Sequence, residues 1–410
     1  MEFLTILYFI YTFVAFYFLM IYVMTYLQNR KYIYEIIKPD KIRSLSIIIP
    51  CFNEEKSIAK NIEAFLASDY KGLKKLIVVD DCSTDNSYEI IKKYAKKYPR
   101  VIALQTPKNT GRASGAKNFG IKYVKTELIG FSDADSLPNK NAISKMVGVF
   151  NDTKVGGVTS RVFVNSPKNY LTRIQAIEFK IIAFTRKLLE FLDAIYVTTG
   201  PLSIYRKKAF DQTGGFDEEN LTEDIELTWN LVSKGWKVKM SMPAVIRSYV
   251  PKTIKTWFHQ RIRWNVGGIQ TVAKYRKKFL ETGMLGFFIM PFFILSWFLG
   301  LTGLVFLGYR LTKYIMVKFL IAKYSVAAQV ALVSMEDLSL NPSILFIFGI
   351  VLFSLGLAYT IVALTYSKEG GRIVGHPIRD IFIYSFFYLL MYPPLLIVSF
   401  YKYFRGYNTW

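Results

Sequence analysis

Cysteine and histidine are scarce in this 410-residue chain: Cys51 and Cys82 are its cysteines, His259 and His376 its histidines. Two thiols without metal-ligand spacing exclude a disulfide scaffold and suit a reducing compartment. His376, in the loop Gly370-Gly-Arg-Ile-Val-Gly-His376-Pro377 between hydrophobic stretches, reads as structural. Acid is also short, with 30 Asp plus Glu against 53 Lys plus Arg, a net charge of +23. Charged residues amount to only 20%, whereas 52% are hydrophobic and 16% aromatic, which excludes a disordered chain.

What is abundant is apolar sequence, unevenly spread. Phe3 to Tyr26 carries no charged side chain and is long enough to cross a hydrocarbon core of about 30 Å. It starts Met-Glu and lacks a small-residue cleavage site, so it reads as a membrane anchor and not a signal peptide. Arg30, Lys31, Lys38, Lys41 and Arg43 follow against Glu35 and Asp40, which by the positive-inside bias predicts a cytoplasmic location from Arg30 onward. Three further spans are expected at Met284–Gly308, Ser343–Tyr366 and Ile381–Phe404. Tyr314–Met335 is long enough but carries Lys318, Lys323 and Gln329, and reads as a poor span or an interfacial helix. The organisation expected is an N-terminal transmembrane helix (1–27), a cytoplasmic domain (28–250), a basic interfacial region (251–283) and a C-terminal transmembrane region (284–410) of three or four helices.

The soluble stretch alternates short apolar runs with helical patterns, the signature of a parallel α/β sheet. Strands are expected at Leu45–Ile49, Lys75–Val79, Val101–Leu104 and Glu127–Phe131, with helices at Ser57–Ala67, Asn86–Tyr98 and Ala113–Tyr123. Such a Rossmann-like half binds ligands beyond the carboxyl ends of its strands, which is where the polar motifs fall. Pro50-Cys-Phe-Asn53-Glu54-Glu55 follows the first strand, and Asp80-Asp81-Cys-Ser-Thr-Asp85 the second. The acidic run either holds a nucleotide's base and ribose or builds an Asx turn capping the next helix. Asp133-Ala-Asp135 follows another strand, and carboxylates at i and i+2 on a turn suit a hard divalent cation that also binds phosphate. Acidic motifs crowded on one sheet edge of a basic protein need a cation or a polar ligand to offset them.

Asn109-Thr-Gly-Arg112-Ala-Ser-Gly-Ala-Lys117 leads into a helix without the spacing of a dinucleotide-binding or P-loop motif. Its basic helix start either holds a phosphate or is a solvated face. Thr222-Glu223-Asp224 precedes a helix expected at Ile225–Ser233, which makes Glu223 and Asp224 candidate general bases. Gln260-Arg-Ile-Arg263-Trp264 joins a bidentate phosphate donor to a flat stacking surface.

Asp80-Asp81, Asp133-x-Asp135, Thr222-Glu-Asp224 and Gln260-x-x-Arg263-Trp264, in this order and at these separations, resemble the membrane-bound family 2 glycosyltransferases of GT-A fold, such as cellulose, chitin, hyaluronan and poly-N-acetylglucosamine synthases. The resemblance covers roughly Leu45 to Trp264. It implies that Pro50, Asn53, Glu54, Asp80 and Asp81 hold base and ribose of a UDP- or GDP-sugar, that Asp133 assists the nucleotide, and that Asp135 ligates Mg2+ or Mn2+ on the diphosphate. Arg112 stands where the family often has lysine, which keeps the charge and alters the contact geometry. Asp224 is implied as the base, with Glu223 its competitor. Arg263 and Lys117 are implied at the leaving diphosphate, Gln260 and Trp264 at the acceptor end. The activity implied is inverting, metal-dependent transfer to a growing polysaccharide at the cell membrane. A single transfer to a lipid-linked acceptor, or a non-catalytic membrane scaffold, are the alternatives.

Two basic stretches complete the reading. Leu171, Ile174, Ile177, Ile181, Phe184, Leu188 and Phe191 recur at helical spacing among Arg173, Lys180, Arg186 and Lys187, and Lys252–Lys278 holds eight Lys or Arg and no acid. Each is either a core helix with a solvated face or a helix lying on the cytoplasmic leaflet, its cations toward anionic lipid. Membrane lipid thus accounts for the net charge, and no nucleic-acid-binding motif is present.

Overall fold

The computed structural model describes residues 2–281, 283–328, 344–366 and 378–407. Helix α1 (Glu2–Asn29) leads into β1 (Leu45–Cys51), α2 (Ile58–Leu66), β2 (Leu73–Asp80), α3 (Ser87–Lys97), β3 (Val101–Gln105), α4 (Ala113–Ile121) and β4 (Leu128–Phe131). Then come β5 (Leu137–Pro138), α5 (Ala142–Val147), β6 (Val155–Val164), α6 (Tyr170–Phe191), β7 (Ser203–Arg206), α7 (Lys207–Thr213), α8 (Glu223–Ser233), β8 (Lys237–Ser248) and α9 (Ile254–Tyr275). Three long apolar helices follow: α10 (Met290–Ala328), α11 (Ile344–Tyr366) and α12 (Ile378–Phe404).

The strands form one sheet in the order β3-β2-β1-β4-β7-β6-β8-β5. Strands β3, β2, β1 and β4 are parallel, as expected. The parallel expectation fails beyond β4, because β7 runs antiparallel to both β4 and β6, and β5 antiparallel to β8. The regular strand and helix alternation on which it rested ends there, with a two-residue β5 and a six-residue α5. Strand β1 explains the layering. Ile47 and Ile49 face a core shared with Ile58, Ile62 and Phe65 of α2, while Ile48 faces the opposite core with Phe184 and Leu188 of α6. Both faces are covered, so the strand reads as a continuous apolar run.

Helix α6 begins with a reciprocal cap: Asn169 accepts from the Thr172 amide (2.8 Å) and the Thr172 hydroxyl accepts from the Asn169 amide (3.1 Å). Its cations are not offered to lipid. Lys180, Arg186 and Lys187 are buried, and Arg173 pairs with Asp380 of α12. Helix α9 keeps Lys252, Lys255, Arg276, Lys277 and Lys278 exposed beside its ends, but Arg261 is buried against Glu178.

Among the described residues, the helices at Thr5–Asn29, Leu285–Ala327, Ile347–Tyr366 and Ile378–Phe404 are long and apolar enough to cross a membrane. Met284–Gly308 and the described part of Tyr314–Met335 are not separate segments. They form one helix, whose 39 residues in α10 extend about 58 Å at 1.5 Å per residue, roughly twice a hydrocarbon core. Nothing between Gly308 and Tyr314 breaks a helix, which the sequence division had required. Residues 329–335, Ser343 and His376 lie outside the described residues. Tyr8 and Tyr11 of α1 pack on Phe306 of α10, and Tyr26 packs on Tyr366 of α11 and Phe184 of α6, so α1 ties the long helices to the sheet domain.

Candidate functional site

The carboxyl ends of β1 and β2 lie in register, Cys51 beside Asp80, so the loops that follow them emerge together. Their polar groups clip one loop to the other. The Asn53 amide donates to Ser83 Oγ (2.9 Å), Asn53 Oδ1 accepts from the Thr84 amide (2.8 Å), and the Glu54 amide donates to Ser87 Oγ (2.8 Å). Asn53 has φ 55°, left-handed backbone that asparagine tolerates better than most residues. Asn53 thus holds the loop, while Pro50 and Glu54 line the cavity behind it.

That cavity has a volume of about 990 Å3. At one end stands Asp81, whose carboxylate accepts from Thr106 Oγ1 (2.8 Å), Thr110 Oγ1 (2.8 Å) and the Thr110 amide (3.0 Å). Asp80 does not line it. Asp80 is fully buried, Oδ2 accepting from the Ser83 amide (3.1 Å) and Gln105 Nε2 (3.0 Å), with Oδ1 unpartnered. Arg112 lines the cavity and donates to the Glu218 carbonyl (2.7 Å).

Asp133 and Asp135 follow β4 and both line the cavity. The turn is held from below by Asn61 of α2, whose Nδ2 donates to the carbonyls of Asp133 (3.0 Å) and Ser136 (2.6 Å). Sequence reasoning missed Asn61, although a polar residue on an inward helical face beside Ile58, Ile62 and Phe65 is a legible anomaly. Gly200 makes room for Asp133, since a Cβ there would lie 3.0 Å from Asp133 Oδ2. Burial, then the neighbouring charges of Asp133 and Glu54, push the Asp135 carboxyl up to about 7. Among the described residues no three His, Cys, Asp or Glu side chains cluster for a cation.

Glu223 and Asp224 open α8, two residues earlier than the helix expected at Ile225. They meet different partners. Glu223 Oε1 accepts from Lys117 Nζ at 2.7 Å, and both are buried. Burial favours the neutral form of Glu223, but the Lys117 charge outweighs it and holds the carboxyl below its ordinary value. Lys117 is absent from the cavity wall; besides Glu223 it faces the Phe216 ring, 5.1 Å from its centroid. Both carboxylates line the cavity, but Asp224 has no lysine partner and accepts from the Ile225 amide (2.9 Å). Burial first, and the Glu223 charge second, push its carboxyl up to about 7, which poises it to accept a proton near neutrality.

Helix α9 supplies Gln260, Arg263 and Trp264 to the wall. Arg261, on the buried side, orders them. Its Nη1 donates to Gln260 Oε1 (2.6 Å), it ion-pairs with Glu178, and its guanidinium lies 4.0 Å from the Trp264 ring centroid. Helix α9 approaches the Thr222 turn through Gly267, where a Cβ would fall 2.1 Å from Thr222 Oγ1. Beyond α9 the wall continues through Arg186, Tyr196, Phe292, Phe293, Trp297 and Tyr392 onto α10 and α12. Of these Arg186 was read from sequence only as one cation of a helical face.

Comparison with known proteins agrees with this geometry. Residues 46–214 match the family described as Glycosyl transferase family 2. Poly-beta-1,6-N-acetyl-D-glucosamine synthase of Staphylococcus aureus is 28% identical over 256 residues, 62% of this chain and 61% of that protein. The Staphylococcus epidermidis protein of the same name is 28% identical over 253 residues, 61% of this chain and 60% of its own. The chain thus spans about three fifths of the length of the curated relatives it matches. Among solved structures, the mannosyltransferase PcManGT from Pyrobaculum calidifontis, in complex with GDP-Man and Mn2+, is similar in fold, with a TM-score of 0.56 and 18% identity over 87% of this chain and 98% of that one.

Proposed function

We propose, on the premise that this chain carries a family 2 glycosyltransferase domain of GT-A fold, that it transfers a sugar from a nucleoside-diphosphate donor to a growing polysaccharide at the membrane, with inversion at the anomeric carbon. The observation that carries this reading is the division of labour at the start of α8. Lys117 occupies Glu223, which leaves Asp224 as the open, poised carboxylate in a cavity that runs from Asp81 to α10 and α12.

In this reading the donor's base and ribose sit against Asp81 and the Pro50–Glu54 loop, which Asn53 ties to the loop after β2 that Asp80 braces from behind. Asp135 would hold a divalent cation, and Asp133, next to it, faces the same cavity. Bound Mg2+ or Mn2+ would neutralise charge developing on the leaving diphosphate. Asp224 takes the proton of the acceptor hydroxyl as that oxygen attacks the anomeric carbon, and the bond to the diphosphate breaks on the opposite side. Arg263 donates to the departing diphosphate, and Arg112 flanks it. Lys117 acts through Glu223 and does not touch the donor. Gln260 and Trp264 bound the acceptor end. The relatives' names make an N-acetylglucosamine donor the first to test. The clustered cations before β1 and around α9 support a cytoplasmic catalytic domain in the cell membrane, next to anionic lipid.

The test is Asp224→Asn, which keeps volume and one acceptor oxygen. Donor affinity should stay near normal while transfer falls at least about a hundredfold, the usual loss of a general base. An active Asp224→Asn beside a folded but inactive Glu223→Gln would transfer the role to Glu223.

A further inference from the structure

Arg186 of α6 is 6% exposed, lines the cavity, and keeps its Nε without a hydrogen-bond partner. The next residue gives the contrast. Lys187 is equally buried, yet donates to Glu190 Oε2 (2.8 Å) and the Met240 carbonyl (3.1 Å). Leaving a buried donor unpaired costs about 1 to 3 kcal/mol, more for a charged group, so a fold does not retain such a residue for stability. Arg186 instead faces the cavity at its membrane end, among Tyr196, Phe292, Trp297 and Tyr392. Tyr196 packs on Phe292 and Phe293 at centroid distances of 6.1 and 5.0 Å. Burial draws the guanidinium's pKa down, against Tyr196 and then Asp224, which both favour its charged form.

We infer that Arg186 is an acceptor-recognition residue: its guanidinium donates to sugar oxygens of the acceptor terminus beside the hydroxyl that Asp224 deprotonates. The inference rests on the transferase reading above. A single arginine walled by flat rings suits a pyranose, with hydroxyls at its rim and C–H groups on its faces. A phosphate group normally gathers several cationic or backbone donors, and the other cavity-lining cations, Arg112 and Arg263, belong to the start of α4 and to α9. The unpaired Nε is the donor such an oxygen would satisfy.

The experiment uses the full chain in lipid nanodiscs with Arg186→Met and Arg186→Lys, UDP-N-acetylglucosamine as donor and an N-acetylglucosamine oligosaccharide as acceptor. Affinity for UDP, oligosaccharide-stimulated UDP release and melting temperature are measured. The expected result is UDP affinity within about twofold of wild type, an acceptor KM raised at least about tenfold, and a melting temperature for Arg186→Met no lower than wild type, since a buried unpaired charge has been removed. Partial recovery by Arg186→Lys supports a donor role. An unchanged acceptor KM, a matching loss of UDP affinity, or unfolding of both variants overturns the assignment. Should wild type itself release no nucleoside diphosphate from UDP-N-acetylglucosamine, GDP-mannose or any other donor tried, the transferase reading falls with it, before any variant is compared.

Discussion

Asp224 and Glu223 are adjacent, and their difference is decided by one lysine. Lys117 neutralises Glu223, and the charge left on Glu223 helps to push Asp224 up to about 7 after burial has done most of it. The sign for catalysis follows. Below about 7 Asp224 holds a proton and accepts none; above it the base is ionised. Transfer at saturating donor should therefore rise with unit slope through this region and level off, and Asp224→Asn should flatten the limb. A limb that survives in Asp224→Asn assigns it to another group. Asp135 is also pushed up to about 7, so at the proposed cation site protons would compete with a divalent cation. Its raised value destabilises the cation-free protein as pH climbs from the ordinary carboxylate range through about 7, and cation binding should restore stability with proton release. Asp135→Ala should abolish both the proton release and most cation-dependent nucleotide binding, read by calorimetry in two buffers. Unchanged cation-dependent binding would remove Asp135 from the metal site.

Helix α9 works by close approach. Gly267 lets it press on the Thr222 turn, while a Cβ at its neighbour Gly268 would meet Phe293 at an ordinary 3.6 Å. Gly267→Ala should thus displace either Thr222 or α9 and lower transfer at least tenfold, roughly 1.4 kcal/mol of barrier, while Gly268→Ala stays within about twofold. Similar activities for the two variants would show that the contact does not set the site. The helix also illustrates what sequence conveys. Gln260, Arg263 and Trp264 stand out in the sequence as a polar and aromatic group at fixed spacing, and all three reach one wall. Arg261 was not, because its part depends on Glu178, which lies 83 residues away and meets it only in the folded chain. The strands β1 to β4 were legible from continuous apolar runs, but antiparallel β7 has no local signature. The sequence left the cations of α6 open between solvent and lipid because helical spacing gives a face and not what covers it, and the fold buries three of them. The length of α10 was misread because charge was taken as a boundary within it.

At the scale of the whole molecule, the cavity runs from the carboxyl ends of β1 and β2 to the long apolar helices α10 and α12, so the proposed function depends on orientation. A cysteine at Lys41, in the basic segment after α1, should be shielded from an impermeant thiol reagent added outside intact cells. Efficient labelling there would place the sheet domain outside. The central claim is sugar transfer by the chain itself, and nucleotide release with product sizing tests it most directly. Purified full-length protein in nanodiscs, given UDP-N-acetylglucosamine, GDP-mannose and other donors in turn with Mg2+ or Mn2+, should release nucleoside diphosphate with one preferred donor and build a ladder of sugar polymer. A single-sugar product would replace polymer synthesis with one transfer to a membrane acceptor. No nucleoside diphosphate release from any donor, by folded protein with either cation, would contradict the claim.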